Sequence, residues 1–234
     1  MTPIYIFDVD GTITPCRSQM ESDVYPKFLE FCSINKVALV TGSTKPMLEE
    51  QIPNDILNLC DVYTCLGVDG LKTFDVDYEI NDDKLIETLN SIIEHSQYNF
   101  KTGNHIEIRK GMINFSIIGR NANKKQRQEY SLFDKENKQR EYLISLLKQT
   151  HPNYDYFRGG AISIDIAKKG INKSLVGKDL KTLYPDSYFI FYADGILNGN
   201  DYPLAEYIRE LNIGYSIQID YQYMKNKILC NLLT

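Results

Sequence analysis

The first turn of the chain constrains it most. Ile4-Tyr5-Ile6-Phe7 is a run of β-branched and aromatic residues, and Asp8-Val9-Asp10-Gly11-Thr12 follows at once. The run predicts a buried strand. In an open parallel sheet, ligands bind beyond the carboxyl ends of the strands, so this strand would bring Asp8 and Asp10 to the reactive edge. Alternate residues of an extended stretch project to one side, so both carboxylates can face one cleft. Gly11 permits a sharp turn. Two acids this close repel unless a proton or a cation comes between them. A hard divalent cation with oxygen ligands, most simply Mg²⁺, suits the pair. The plain alternative is a turn and nothing more, since Asp and Gly are common turn formers.

Beyond this turn, strand and helix alternate. Apolar residues at helical spacing predict a helix over 20–34. Val37-Ala38-Leu39-Val40 predicts a second strand, ending in Thr41-Gly42-Ser43. A helix should follow, with Ser43 or Thr44 as N-cap and Pro46 in its first turn. Residues 61–66 predict a third strand. This order argues for a parallel α/β sheet.

The pattern changes after about residue 75. A helix is predicted over 83–97, then a hairpin of 106–109 and 112–118 around Lys110-Gly111. One or two charged helices follow over 124–149, and Ile162–Ile166 alternates as a strand after Gly159-Gly160. These are the marks of an α+β insert with an antiparallel sheet. The α/β pattern resumes near Gly170, with a helix over 172–182 and a strand over 187–193 that ends at Asp194. A helix over 202–211, the stretch Gly214-Tyr215-Ser216-Ile217 and a terminal helix to Leu233 complete it. The reading is a core of residues 1–78 and 170–234, interrupted by a cap of residues 79–169. A chain of 234 residues is long enough for both.

Composition excludes some classes. The net charge is −5, so no strong field draws nucleic acid or anionic lipid. No apolar run approaches the length of a membrane span. Cys16, Cys32, Cys60, Cys65 and Cys230 are odd in number and form no CxxC pair. They read as reduced thiols of a cytoplasmic protein.

Four stretches end predicted core strands or begin core helices: Asp8 to Thr12, Thr41-Gly42-Ser43, Lys173, and Asp194 to Asp201. Together they describe a phosphoryl-transfer site. A carboxylate can attack phosphorus and form an aspartyl phosphate. A phosphate oxygen about 4 Å away repels it by about 4 kcal/mol at an effective dielectric near 20, and Mg²⁺ reverses that sign. A hydroxyl beside helix N-terminal amides suits a phosphate, as does the point charge of a Lys. A second acid protonates the leaving oxygen and deprotonates the next attacker.

In this order the motifs resemble the haloacid dehalogenase superfamily. Phe7 to Thr14 with Arg17 is similar to the opening of eukaryotic-type phosphomannomutases. The same holds for Ile106 to Asn114, Ile118-Gly119-Arg120-Asn121, Gln126 to Tyr130, Asp134 to Asn137, Gly159 to Asp165, Gly170 to Lys173, and Gly199-Asn200-Asp201. The resemblance implies a haloacid-dehalogenase-like Rossmannoid core with an inserted α+β cap. It implies Asp8 as nucleophile and metal ligand, and Asp10 as general acid/base with its main-chain carbonyl on Mg²⁺. Asp194, Asn200 and Asp201 complete the implied metal set. Ser43 and Lys173 would hold the transferring phosphate. Arg17, Arg109, Arg120, Arg127, Ser163 and Asp165 would hold the sugar and its distal phosphate, for which Arg presents a planar fork. Also implied are a hexose 1,6-bisphosphate activator and a homodimer formed through the cap. Read without the resemblance, Arg109 could equally be an ion-pair partner on a strand, and Arg120 and Arg127 solvated surface residues.

The chain departs from the family pattern in places. Val68-Asp69-Gly70 stands for Glu-Asn-Gly, and Ala193-Asp194-Gly195-Ile196 for Gly-Asp-Lys-Thr. Asn172 stands for Asp, and Asn198 for Gly. Three functions compete: a mutase of mannose 6-phosphate and mannose 1-phosphate, a sugar-phosphate phosphatase using the same aspartates, and a weakly catalytic sugar-phosphate sensor.

Overall fold

The computed structural model describes residues 2–197 and 199–233, so Asn198 lies outside the described residues. The chain forms two compact units. One holds Met1–Val76 and Asn172–Thr234, the other Asp77–Ile171. The boundaries expected from sequence, at 78/79 and 169/170, each fall two residues inside the second unit.

The first unit is a five-stranded parallel sheet. Its strands are β1 (Pro3–Asp8), β2 (Lys36–Val40), β3 (Asp61–Tyr63), β8 (Tyr188–Ala193) and β9 (Gly214–Gln218), in the order β3-β2-β1-β8-β9. Both faces are buried, which explains why the strands read as continuous apolar runs. Tyr5, Phe7, Val37, Leu39, Ile190 and Tyr192 pack on one side against Phe28 of α1 (Tyr25–Ile34), Leu48 of α2 (Lys45–Gln51), Ile56 of α3 (Asn54–Leu59) and Met224 of α9 (Tyr221–Leu229). Ile4, Ile6, Val40, Phe189 and Phe191 pack on the other, against Val176 and Leu180 of α7 (Ser174–Leu183) and Leu204 and Ile208 of α8 (Tyr202–Glu210). The strand order turns back at β1, between β2 and β8. That switch point opens a crevice at the carboxyl ends of β1 and β8.

Three core elements differ from expectation. The third strand stops at Tyr63, and Cys65 and Leu66 take φ of 53° and 60°. The cause is a competing set of partners. The Cys65 amide donates to the Ser43 carbonyl at 2.9 Å and the Leu66 amide to the Thr41 carbonyl at 3.1 Å, so both leave the ladder to brace the loop after β2. Helix α3 was not foreseen, and α1 begins only at Tyr25, with Pro26 in its first turn.

The second unit is a four-stranded antiparallel sheet, ordered β4-β5-β7-β6, from β4 (Ile106–Arg109), β5 (Met112–Phe115), β6 (Tyr154–Gly159) and β7 (Ser163–Lys168). Ile113, Phe115, Ile164, Ile166 and Tyr156 form its apolar face. They pack with Leu85 and Leu89 of α4 (Asp83–Glu94), Tyr130 of α5 (Lys124–Asn137) and Leu143 and Leu147 of α6 (Gln139–Thr150). The intervening strand positions carry Glu107, Arg109, Asn114, Ser163 and Asp165, so alternation puts them on the opposite face. The charged stretch is two helices, broken at Lys138 with φ 52°. Edge strand β6 is an addition to the expected elements. No helix among the described residues is long and apolar enough to cross a membrane.

Candidate active site

β1 ends on Asp8, and the chain then folds back on itself. The amides of Thr12, Ile13 and Thr14 all point to the Val9 carbonyl at 3.1–3.2 Å, and the Gly11 amide closes on the Thr14 carbonyl at 2.9 Å. Gly11 has φ +88°, and a Cβ there would run into the carboxylate of Asp194. Only glycine meets both demands. Asp194 follows directly after β8, so two neighbouring strands present their carboxylates at the switch point.

The two aspartates of the opening motif have different partners. Asp8 is buried. Its Oδ1 accepts from Lys173 Nζ at 2.7 Å and its Oδ2 from Thr12 Oγ1 at 3.2 Å. Asp10 turns to other groups: Oδ1 accepts from the Arg17 amide at 2.7 Å and Oδ2 from Ser43 Oγ at 3.1 Å. Arg17 reaches this position with φ 54°. Arg17, Ser18, Ser43, Met47, Glu50 and Gln51 line an open cleft in this unit.

Lys173 is fully buried and bridges Asp8 and Asp201, with Nζ 2.6 Å from Asp201 Oδ1. Burial alone would lower the pKa of its ammonium, but Asp201 and Asp8 outweigh that and raise it. Ligand oxygens of Asp8, Asp194 and Asp201 all lie within 4.8 Å of one another. One ammonium cannot neutralise three carboxylates. Burial therefore pushes Asp8 well above the usual carboxylate range against the pull of Lys173, and Asp201 and Asp194 add to the push. Asp194 is exposed as a residue, but its carboxyl group lies over Gly11. Desolvation there, with Asp201 beside it, pushes it up to about 7. Three oxygen donors with two excess negative charges fit a hard divalent cation, and Mg²⁺ suits them. Asp8, Asp194 and Asp201 would hold it. The carboxyl group of Asp10 is engaged instead by the Arg17 amide and Ser43 Oγ. Asn200 lies in the turn leading to Asp201.

The loop that departs from the family pattern is held by groups the sequence did not single out. The Asp194 amide donates to Thr12 Oγ1 at 3.1 Å, and Gln218 Nε2 donates to the Asp194 carbonyl. Gln218 Oε1 accepts from the amides of Ile196 and Leu197 at 2.8 and 3.2 Å. The Gly195 amide donates to Asp201 Oδ2 at 3.1 Å, and a Cβ at Gly195 would lie 2.5 Å from that oxygen. A side chain at 195 would require the Asp201 carboxylate to shift.

In the second unit, Arg120 Nη1 donates to Ser163 Oγ at 3.0 Å. Arg120 Nε and Arg109 Nη2 both reach Glu107 Oε2, at 3.0 and 2.8 Å. Asn114 Nδ2 donates to Asp165 Oδ1 at 2.6 Å across the β5–β7 pairing. Arg127 donates to the carbonyls of Ala122 and Arg120, at 2.7 and 2.6 Å, and so braces the segment that carries Arg120. The expected substrate residues are thus divided: Arg17, Ser43 and Lys173 belong to the first unit, and Arg109, Arg120, Arg127, Ser163 and Asp165 to the second. Sequence reading missed Glu107, although its place two residues before Arg109 on one strand was a usable signal.

A family model described as eukaryotic phosphomannomutase matches residues 27–231. A phosphomannomutase of Solanum lycopersicum is 30% identical, covering 98% of this chain and 93% of its own. Phosphomannomutase 2 of Dictyostelium discoideum is also 30% identical, covering 88% of each. Among solved structures, a haloacid dehalogenase-like hydrolase from Bacteroides thetaiotaomicron superposes with a TM-score of 0.58 at 10% identity, covering 97% of this chain and 98% of its own. That likeness concerns the fold alone. With the family match spanning most of the sequence, the chain belongs to the eukaryotic phosphomannomutase family.

Proposed function

We propose that the protein is a phosphohexomutase that interconverts mannose 6-phosphate and mannose 1-phosphate. The observation that carries this reading is the division of labour at the end of β1. Asp8 is held by Lys173 within the three-carboxylate cluster, while Asp10 is held by Ser43 and the Arg17 amide. An acid fixed by neutral donors beside a nucleophile suits proton transfer. Asp8 attacks the phosphorus of a hexose 1,6-bisphosphate. The bond from phosphorus to the sugar oxygen breaks, and Asp10 protonates that oxygen. The phosphoryl group, now on Asp8, passes to the free hydroxyl of a sugar monophosphate as Asp10 takes back its proton. Mg²⁺, when bound, screens the carboxylate from the phosphoryl oxygens. Arg17, Ser43 and Lys173 serve the transferring end. Arg109, Arg120, Arg127, Ser163 and Asp165 serve the sugar and its second phosphate. A cytoplasmic homodimer joined through the cap belongs to the same reading.

Product analysis tests it. Protein, Mg²⁺, mannose 1-phosphate and a catalytic amount of the bisphosphate should yield mannose 6-phosphate. Accumulation of free mannose and inorganic phosphate instead would identify a sugar-phosphate phosphatase using the same Asp8.

A further inference from the structure

We propose that Glu107 is a positioning residue that sets Arg109 and Arg120 for the phosphate of a hexose phosphate. This deepens the function proposed above and rests on it for the identity of the ligand. Glu107 and Arg109 share a face of β4, and Glu107 pairs across the sheet with Asn114. A single oxygen, Oε2, serves both arginines, at 2.8 Å from Arg109 Nη2 and 3.0 Å from Arg120 Nε. The two arginine side chains are 4% and 9% exposed, and that of Glu107 is 19% exposed. Little solvent reaches the cluster, so salt screens it weakly.

The arrangement solves a problem of assembly. Two guanidiniums brought together for one phosphate repel each other before the phosphate arrives. A shared carboxylate oxygen removes that repulsion and fixes both side chains, which lowers the ordering cost left to binding. Arg120 is engaged from three sides: its guanidinium is ion-paired with Glu107, Nη1 donates to Ser163 Oγ, and its main-chain carbonyl accepts from Arg127. Arg109 Nη2 donates a hydrogen bond to Glu107 Oε2, whereas Arg120 Nε lies 3.0 Å from that oxygen as an ion pair without one. The opposing effect is also real, since a carboxylate repels an incoming phosphate. The two effects predict opposite signs on removal, and the bridged geometry favours the brace.

The test is calorimetric titration of mannose 6-phosphate into the whole protein without Mg²⁺, with wild type, Glu107→Ala, Glu107→Gln and Glu107→Asp compared and thermal unfolding followed in parallel. Kd should rise about tenfold in Glu107→Ala. Glu107→Gln keeps an acceptor at the same reach but loses the charge that offsets the two guanidiniums, so Kd should rise by less than in Glu107→Ala, by about three- to fivefold. Glu107→Asp keeps the charge but cannot span both guanidiniums, and should weaken binding several-fold. In turnover, KM should rise more than kcat falls. Equal or tighter binding by both Glu107→Ala and Glu107→Asp would overturn the proposal. If wild type binds the sugar phosphate but only hydrolyses it, the mutase reading fails while the pattern of Kd values still supports Glu107. No binding by wild type would overturn both.

Discussion

Lys173 Nζ lies 2.7 Å from Asp8 Oδ1, although 165 residues separate the two in the chain. The contact joins the strand that opens the core to the segment that re-enters it after the insert. Lys173→Met should leave Asp8 and Asp201 buried without a counter-charge. Breaking a buried pair from one side costs about 3–5 kcal/mol. Urea unfolding of the cation-free variant should show a loss of that order, and a loss below about 1 kcal/mol would contradict the pairing.

Asp194 is pushed up to about 7, so in the cation-free protein it holds a proton below that pH and releases it above. A cation must displace that proton. The Kd for Mg²⁺ should therefore rise as pH falls from 7 to 6, by up to about tenfold for one proton. Calorimetry at pH 6, 7 and 8 checks this. A Kd that is flat across the range would remove Asp194 from the cation set.

Gly11→Ala adds a Cβ where φ is +88° and where the Asp194 carboxylate already sits. The left-handed backbone alone costs about 1–2 kcal/mol. Relief by moving Asp194 would spoil the carboxylate cluster. The expected result is a modest fall in Tm together with at least a tenfold weaker Kd for Mg²⁺, a factor of ten being about 1.4 kcal/mol. A fall in Tm with unchanged Mg²⁺ binding would show that Asp194 does not take part.

Asp179 ties the segment leaving the core to α7. Its carboxylate is fully buried and accepts from Tyr63 Oη at 2.8 Å, the amides of Lys72 and Thr73 at 3.0 and 2.7 Å, and Thr73 Oγ1 at 2.6 Å. Asp179→Ala leaves these donors without their acceptor, and each unsatisfied buried group costs about 1–3 kcal/mol. The loss should exceed about 3 kcal/mol by urea unfolding, with Tyr63→Phe costing far less. Similar losses for the two variants would show that water replaces the carboxylate.

Much of the fold was legible in the chain. The apolar runs of β1, β2 and β8 announce themselves because both faces of a parallel sheet are buried. The alternation of Ile164 and Ile166 with Ser163 and Asp165 marks a sheet with one covered face. Asp8 and Asp194 were legible for the same reason, since each stands directly after such a run, and Asp10 follows Asp8 by two residues. The early stop of β3 at Tyr63 was not legible, because it follows from bonds to Ser43 and Thr41, some twenty residues upstream. The break at Lys138 hid inside a helix-forming stretch. Gln218 could not be found from sequence either, since it meets Asp194 only through the β8–β9 pairing, 24 residues away. The two carboxylates that hold Lys173 are likewise invisible in the sequence, since Asp8 and Asp201 lie 165 and 28 residues from it.

The central claim is that Asp8 carries the phosphoryl group. The most direct measurement is brief mixing with a hexose 1,6-bisphosphate labelled at phosphorus, acid quenching, borohydride reduction of the acyl phosphate, and peptide mass spectrometry. The label should enter the protein, and the reduced residue should be position 8, with none at Asp10 and none in Asp8→Asn. Label absent from Asp8, or located at another carboxylate while turnover proceeds, would contradict it.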